Sequence, residues 1–204
     1  NSNLKRISGR FNTETRVGKN LKIGINMDGA TSVNNQKTEL TKAIIEYRPD
    51  LPVYNADGSF YLFDQYTDNP MSIGSNRQEN SAKNFTGSGY AEYEIIPGLR
   101  FKSNYSVRYN LFNNDKYINR GKSYSSYNGQ GTIVYNESTV TLFDNTLTYA
   151  KAVDKHDLIA MVGTSVEKAN TKMLSASGMD FPDDIILNNL GSATTYGKPN
   201  SNEY

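Results

Sequence analysis

Apolar and polar residues alternate along much of this chain with a period of two, and the alternation comes in three pairs of arms. The cleanest pair runs from Phe85 to Leu111. Phe85, Gly87, Gly89, Ala91, Tyr93 and Ile95 take every second place on one arm. After Ile96-Pro97-Gly98 the register resumes with Leu99, Phe101, Ser103, Tyr105, Val107, Tyr109 and Leu111. The places between hold Thr86, Ser88, Tyr90, Glu92 and Glu94, then Arg100, Lys102, Asn104, Ser106, Arg108 and Asn110. Successive side chains of a strand point to opposite faces, so the pattern predicts two strands with one apolar and one polar face. Pro97 presets its φ and Gly98 tolerates positive φ, so the chain reverses there and the arms pair as an antiparallel hairpin.

The same reading predicts a hairpin over residues 7–33. Ile7, Gly9 and Phe11 alternate with Ser8, Arg10 and Asn12, Val17-Gly18-Lys19-Asn20 turns the chain, and Leu21, Ile23, Ile25 and Met27 return opposite Lys22, Gly24, Asn26 and Asp28. A third hairpin, over 139–167, places Phe143, Asn145, Leu147 and Tyr149 before a turn at Val153-Asp154-Lys155. Leu158, Ala160, Val162, Thr164 and Val166 follow it, and Ile159 and Met161 interrupt its polar face. Loops are predicted over 34–81, 112–131 and 168–204. Inside the first of them Leu40, Ala43, Ile44 and Tyr47 recur at helical spacing, which predicts a short helix over Glu39 to Tyr47, and Asp57-Gly58 marks a minor hairpin turn.

Strands of soluble domains usually run about five or six residues, whereas a tilted strand needs roughly 9 to 11 to cross a bilayer. The arms here have the longer length. All three tight turns fall at one end of the sheet and all long segments at the other, the arrangement of outer-membrane barrels. The fold class predicted is therefore all-β, an antiparallel up-and-down transmembrane β-barrel segment of about six strands. Six strands are fewer than the roughly eight of the smallest common barrels, and an open sheet in lipid leaves two unpaired edges, so the chain is expected to be an internal part of a larger barrel. Ile23, Ile25, Phe101, Tyr105, Val107, Tyr109 and Leu111 are then the candidates to face lipid. Glu92, Glu94, Arg100, Lys102, Asn104 and Arg108 are the candidates to line the lumen.

Composition narrows the chemistry. With 22 basic and 21 acidic residues the net charge is +1, and no broad basic field is present to attract nucleic acid. There is no Cys and no Trp, but 15 Tyr separate the chain from disordered sequences, which are poor in aromatics. The single His156 sits among Asp154, Lys155 and Asp157 at a turn and reads as a solvated residue rather than a general base. Gly87-Ser88-Gly89 lies inside a strand pattern and lacks the rest of a dinucleotide fingerprint. Asp180, Asp183 and Asp184, with Asp64 and Asp68 in another loop, are of a type that ligates hard cations, but their spacing fits no binding loop. No catalytic residue, cofactor or metal ligand is assigned, and no enzyme activity is expected.

The segment Tyr47-Arg48-Pro49-Asp50-Leu51-Pro52-Val53-Tyr54-Asn55-Ala56-Asp57-Gly58, followed by Asn69-Pro70, resembles the long extracellular loop of the SusC/RagA family of TonB-linked outer-membrane transporters. Further resemblance lies in Val17 to Gly24, in Ile96 to Lys102, in Leu147-Thr148-Tyr149 with Asp154 to Leu158, and in Phe181-Pro182. Together these segments cover nearly the whole chain, in order. The resemblance implies a 22-stranded barrel with an N-terminal plug in the outer membrane of a Gram-negative bacterium of the Bacteroidetes type. It further implies a SusD-like surface lipoprotein as partner, TonB as the source of energy, and oligosaccharides or peptides as substrate. No plug domain or TonB-contact segment is recognisable in this chain. Tyr117, Tyr124 and Tyr127, in the loop 112–131, are candidates to touch a ligand or the lipoprotein lid. The alternative is a soluble all-β module that binds glycan at a cell surface, its apolar faces forming a core between two sheets.

Overall fold

The computed structural model describes residues 3–64, 67–120, 128–184 and 189–204. Six long strands follow one another as β1 (Asn3–Val17), β2 (Leu21–Gln36), β3 (Arg77–Ile96), β4 (Leu99–Ile118), β5 (Gln130–Val153) and β6 (His156–Met179). Each pairs antiparallel with the next, giving one up-and-down sheet that does not close on itself. Two short strands, β7 (Thr195–Tyr196) and β8 (Asn200–Glu203), pair with β6 at its upper end. The segment 168–204 predicted as loop thus contains the top of β6 and two further strands. The loop predicted at 112–131 contracts as well, because β4 reaches Ile118 and β5 begins at Gln130. Above the apolar band the ladder continues through polar pairs such as Asn80↔Asn114 and Asn113↔Tyr135, which no apolar alternation marks.

Tight turns join the long strands at the lower end. Gly18 at φ +69, Gly98 at φ +85 and Asp154 at φ +55 supply the left-handed backbone. At the first two positions glycine adopts it without a Cβ penalty. The strands lengthen from β1 to β6, so the ladder rises obliquely. On one face of β4 the run from Leu99 to Leu111, at roughly 3.3 Å per residue and a tilt of roughly 40°, spans about 30 Å. Phe101 and Tyr105 on that face are 39% and 51% exposed, as are Phe11 and Phe143 at 57% and 44%, with no second layer over them among the described residues.

Burial is concentrated at the loop end instead. The helix α1 (Thr41–Glu46) is shorter than predicted, and of its apolar positions only Ala43 is buried, while Ile44 is exposed. A second helix, α2 (Pro70–Ser75), begins at Asn69, whose side chain accepts from Met71 N, and Pro70 occupies the first turn, where its missing N–H leaves no helical bond unmade. Asn69 Nδ2 in turn donates to the carbonyls of Val53 (2.7 Å) and Tyr61 (3.1 Å), tying α2 to the minor hairpin held by the Tyr54↔Phe60 bridge. Asn119, 3% exposed at the end of β4, completes a buried polar hub. Its N–H donates to Asn76 Oδ1 (3.0 Å), its Oδ1 accepts from Ser72 Oγ (3.1 Å), and its Nδ2 donates to Ser72 O and Ser75 Oγ. Replacing Asn119 by alanine removes its three side-chain bonds to Ser72 and Ser75 but keeps the backbone N–H to Asn76, and the expected cost is about 1 to 3 kcal/mol of local stability. Faster amide exchange or proteolysis in α2, with β1 to β4 unchanged at the turn end, is the measurement that checks it.

Candidate functional site: the polar face of the wall

Register decides which polar residues meet. Arg100 stands opposite Glu94, Lys102 opposite Glu92, Asn104 opposite Tyr90 and Arg108 opposite Thr86, so the six residues predicted to line a lumen share one face. That face continues across the sheet through Glu14, Lys22, Asn26, Asp144 and Ser165. The opposite face carries Ile23, Ile25, Phe101, Tyr105, Val107, Tyr109 and Leu111.

The polar face is laced by contacts between strands. Glu14 accepts from Tyr90 Oη and pairs with Lys22 at 2.9 Å. Lys102 Nζ lies 4.4 Å from the centroid of the Tyr90 ring, close enough for a cation–π attraction. Asp144 accepts from Ser165 Oγ at 2.6 Å and from Asn104 Nδ2 at 3.5 Å. Arg100 approaches Glu92 at 3.8 Å, and Glu94 accepts from the N–H of Gly98 at 3.1 Å. Tyr90, Lys102, Asn104, Asp144 and Ser165 with Asn26 line a groove of ≈ 570 Å³ that holds both charges and several hydrogen-bonding groups. Such a surface offers paired donors and acceptors to a polar solute or protein surface.

Tyr90 owes its position to Gly24. A Cβ at residue 24 would lie 2.2 Å from the Tyr90 ring, so the ring occupies the space that a side chain would take. Glycine inside a strand here marks close approach of an aromatic rather than a bend. Gly24→Ala is expected to push the ring away from Glu14 and Lys102 and to destabilise the wall by about 1 to 3 kcal/mol. The shift of the denaturant midpoint, compared with that of Tyr90→Ala and the double variant, checks it, since coupled residues give a non-additive pair.

The sequence reading did not single out Tyr90, Gly24, Glu14 or Asp144 as site residues. Their parity was legible, but which strand residue faces which depends on register. Tyr117 requires a correction. It lies in β4 and not in a loop, is 1% exposed, and packs edge-on against Phe181 with ring centroids 5.2 Å apart. Its Oη donates to Asp184 Oδ1 at 2.8 Å. Burial, followed by the neighbouring Asp184 carboxylate, pushes the phenol well above its ordinary pKa. Tyr117 therefore holds the loop 180–184 onto the strand and is not free to meet a ligand. Tyr124 and Tyr127 lie outside the described residues. The loop acids do not converge: Asp184 is engaged by Tyr117 and by Arg120 at 3.3 Å, Asp180 accepts from Asn128 N, and Asp64 accepts from Thr67 N. Among the described residues no group of three or more acids and His could hold a metal ion, and no helix is long and apolar enough to cross a membrane.

No family model matches the chain. It is similar to TonB-dependent receptor P3 of Formosa agariphila, 26% identical over 221 residues that cover 98% of this chain and 22% of the receptor. TonB-dependent receptor P26 of the same organism is 24% identical over 211 residues, 94% of this chain and 20% of that receptor. Among solved structures, the RagAB peptide transporter superposes over 100% of this chain and 25% of its own, with a TM-score of 0.76 at 21% identity. The fold is that of a TonB-dependent barrel wall. The RagAB peptide importer in its open-open state matches the same wall over 100% of this chain and 24% of its own, with a TM-score of 0.74. The chain thus spans about a quarter or less of the length of the proteins it matches, and the wall's likeness to TonB-dependent receptors runs along its whole length.

Proposed function

We propose that this wall belongs to an outer-membrane TonB-dependent transporter that imports oligosaccharides or peptides together with a SusD-like surface lipoprotein. The observation that carries the reading is a single sheet whose long strands present a largely apolar face, with nothing packed on it among the described residues, and a hydrogen-bonded polar face behind it. A soluble glycan-binding module needs a second layer over that apolar face, and none stands there among the described residues. In lipid the free edges of β1 and lower β6 would pair with neighbouring wall strands. β8 already runs antiparallel to β6 from Lys172 to Ser175, where a neighbouring strand of an up-and-down wall would lie.

In this reading Glu92, Glu94, Arg100, Lys102, Asn104 and Arg108 line the lumen with Tyr90 and Asp144, and face the plug or the passing solute. Ile23, Ile25, Phe101, Tyr105, Val107, Tyr109 and Leu111 face acyl chains. The buried hub around Asn69, Ser72 and Asn119 stiffens the extracellular end, where the lipoprotein would dock. TonB would act through a region not recognisable in this chain. RagAB, a peptide transporter by name, supports the peptide alternative, and the SusC/RagA resemblance leaves both substrate classes in view.

The test uses the full-length protein that carries this chain. It is expected in the outer-membrane fraction as a heat-modifiable band, and uptake of labelled oligosaccharides or peptides is expected to require TonB and the neighbouring surface lipoprotein. A full-length protein that is monomeric in plain buffer and melts cooperatively there would overturn the reading.

A further inference from the structure

On the polar face the register sets successive rows across β4, β5 and β6. From the turn end upward they read Lys102–Thr146–Gly163, Asn104–Asp144–Ser165, Ser106–Leu142–Glu167 and Arg108–Val140–Ala169. Elsewhere on this face charges meet in pairs, Arg10 with Asp28 at 3.1 Å, Lys22 with Glu14 at 2.9 Å and Arg100 with Glu92 at 3.8 Å. The charges of these rows do not. Asp144 accepts only from the neutral Ser165 and Asn104 among the described residues, and Lys102, though opposite Glu92, ends over the Tyr90 ring. Arg108 and Glu167 are exposed and join no ion pair among the described residues. Between Asp144 and Arg108, Leu142 and Val140 interrupt the polar face with aliphatic surface.

We infer that this strip is a binding site for oligopeptides that carry both a basic and an acidic side chain and lie along the strands. The inference rests on the barrel reading, which makes this face a lumen lining. Asp144 would take an ammonium or guanidinium and Arg108 a carboxylate, each through charge-assisted hydrogen bonds, while Leu142 and Val140 meet apolar side chains between them. Arg108 stands opposite Val140, four residues along β5 from Asp144, so an extended peptide matches both when its opposite charges are about four residues apart. Asn26, Asn104 and Ser165 in the adjoining groove suit its backbone. A neutral oligosaccharide leaves both charges unmatched. Nor does it find a stacking platform, because Tyr90, the aromatic of these rows as they continue to β1, has its hydroxyl on Glu14 and its ring committed to Lys102 and the gap at Gly24. A polyanionic glycan meets Asp144 and Glu167 as like charges.

The experiment is isothermal titration calorimetry of the full-length transporter in detergent. The probes are the acetylated and amidated peptides Lys-Ala-Leu-Ala-Glu, Lys-Ala-Leu-Ala-Lys and Glu-Ala-Leu-Ala-Glu, with maltopentaose beside them. The mixed-charge peptide is expected to bind roughly tenfold tighter than either like-charged one, the value of one charge-assisted contact, and maltopentaose more weakly than all three. Asp144→Asn should remove that preference. Asp144→Lys should hand it to the diglutamate peptide, a reversal that loss of a merely structural contact does not produce. Lys168→Gln, on the outward face, should change nothing. Equal affinity for the three peptides, no binding of any, tighter binding of maltopentaose, or an unchanged preference in Asp144→Lys would overturn the site while the barrel stands. A full-length protein that needs no detergent would overturn the barrel reading and the site together.

Discussion

Gly98→Val in the full-length protein is expected to remove about 3 to 5 kcal/mol of stability, through left-handed strain and a forced backbone displacement acting together. Gly98 sits at φ +85, and a Cβ there would lie 2.3 Å from the carbonyl oxygen of Ala150. That oxygen belongs to backbone and cannot swing aside, because the N–H of the same Ala150 donates to Gly98 O at 2.8 Å and fixes β5 against the turn. The heat-modifiable fraction of the protein and its urea midpoint measure the loss. Gly98→Asn separates the two causes, since asparagine tolerates positive φ but still brings a Cβ. Both variants should fail to seat β5 beside the turn. A fully folded Gly98→Asn variant would show that the approach to Ala150 is not close.

Val107→Arg carries the second large effect. Val107 lies midway along the outward run of β4 between Phe101 and Leu111, paired with Gly87 on one side and Thr141 on the other. An arginine near the bilayer midplane of a barrel costs roughly 2 to 4 kcal/mol, falling toward zero near the interfaces. Asn104→Lys, on the face that holds Lys102 and Asp144, should be mild, because that face already solvates charge. Comparing urea midpoints of the two variants refolded into vesicles checks the assignment of the faces, and equal losses would reverse it.

These predictions draw on different depths of information. Val107 needed only the chain, since a period of two puts every second residue on the same side of a strand whatever its partners are. Gly98 was legible as a turn residue beside Pro97, but its contact with Ala150 was not. That contact comes from a strand separated from it by the whole loop after β4. Tyr90 shows the same limit more sharply. Its place among polar residues was plain, yet its cradle at Gly24 and its partners Glu14 and Lys102 follow only from the alignment of β1, β2, β3 and β4. Tyr117 was misread because a tyrosine among Asn, Lys and Ser residues has the composition of a loop. The ladder had in fact continued to Ile118, and Phe181, from a distant segment, covered the ring.

The helix α2 escaped notice for a related reason. Its one sequence signal, Asn69 before Pro70, marks a helix start, but six residues carry too little periodicity to declare a helix without the Asn119 hub that holds them. Alternation, arm length and the sorting of turns from loops are local properties of the backbone, and they determined by themselves an up-and-down sheet with one apolar and one polar face. Register, the burial of the extracellular cap and the meeting of Tyr90, Lys102 and Asp144 around one groove were decided only by the tertiary structure. Cross-strand pairing joins residues far apart in the chain, and no periodicity within a single strand encodes which residue of the next will face it.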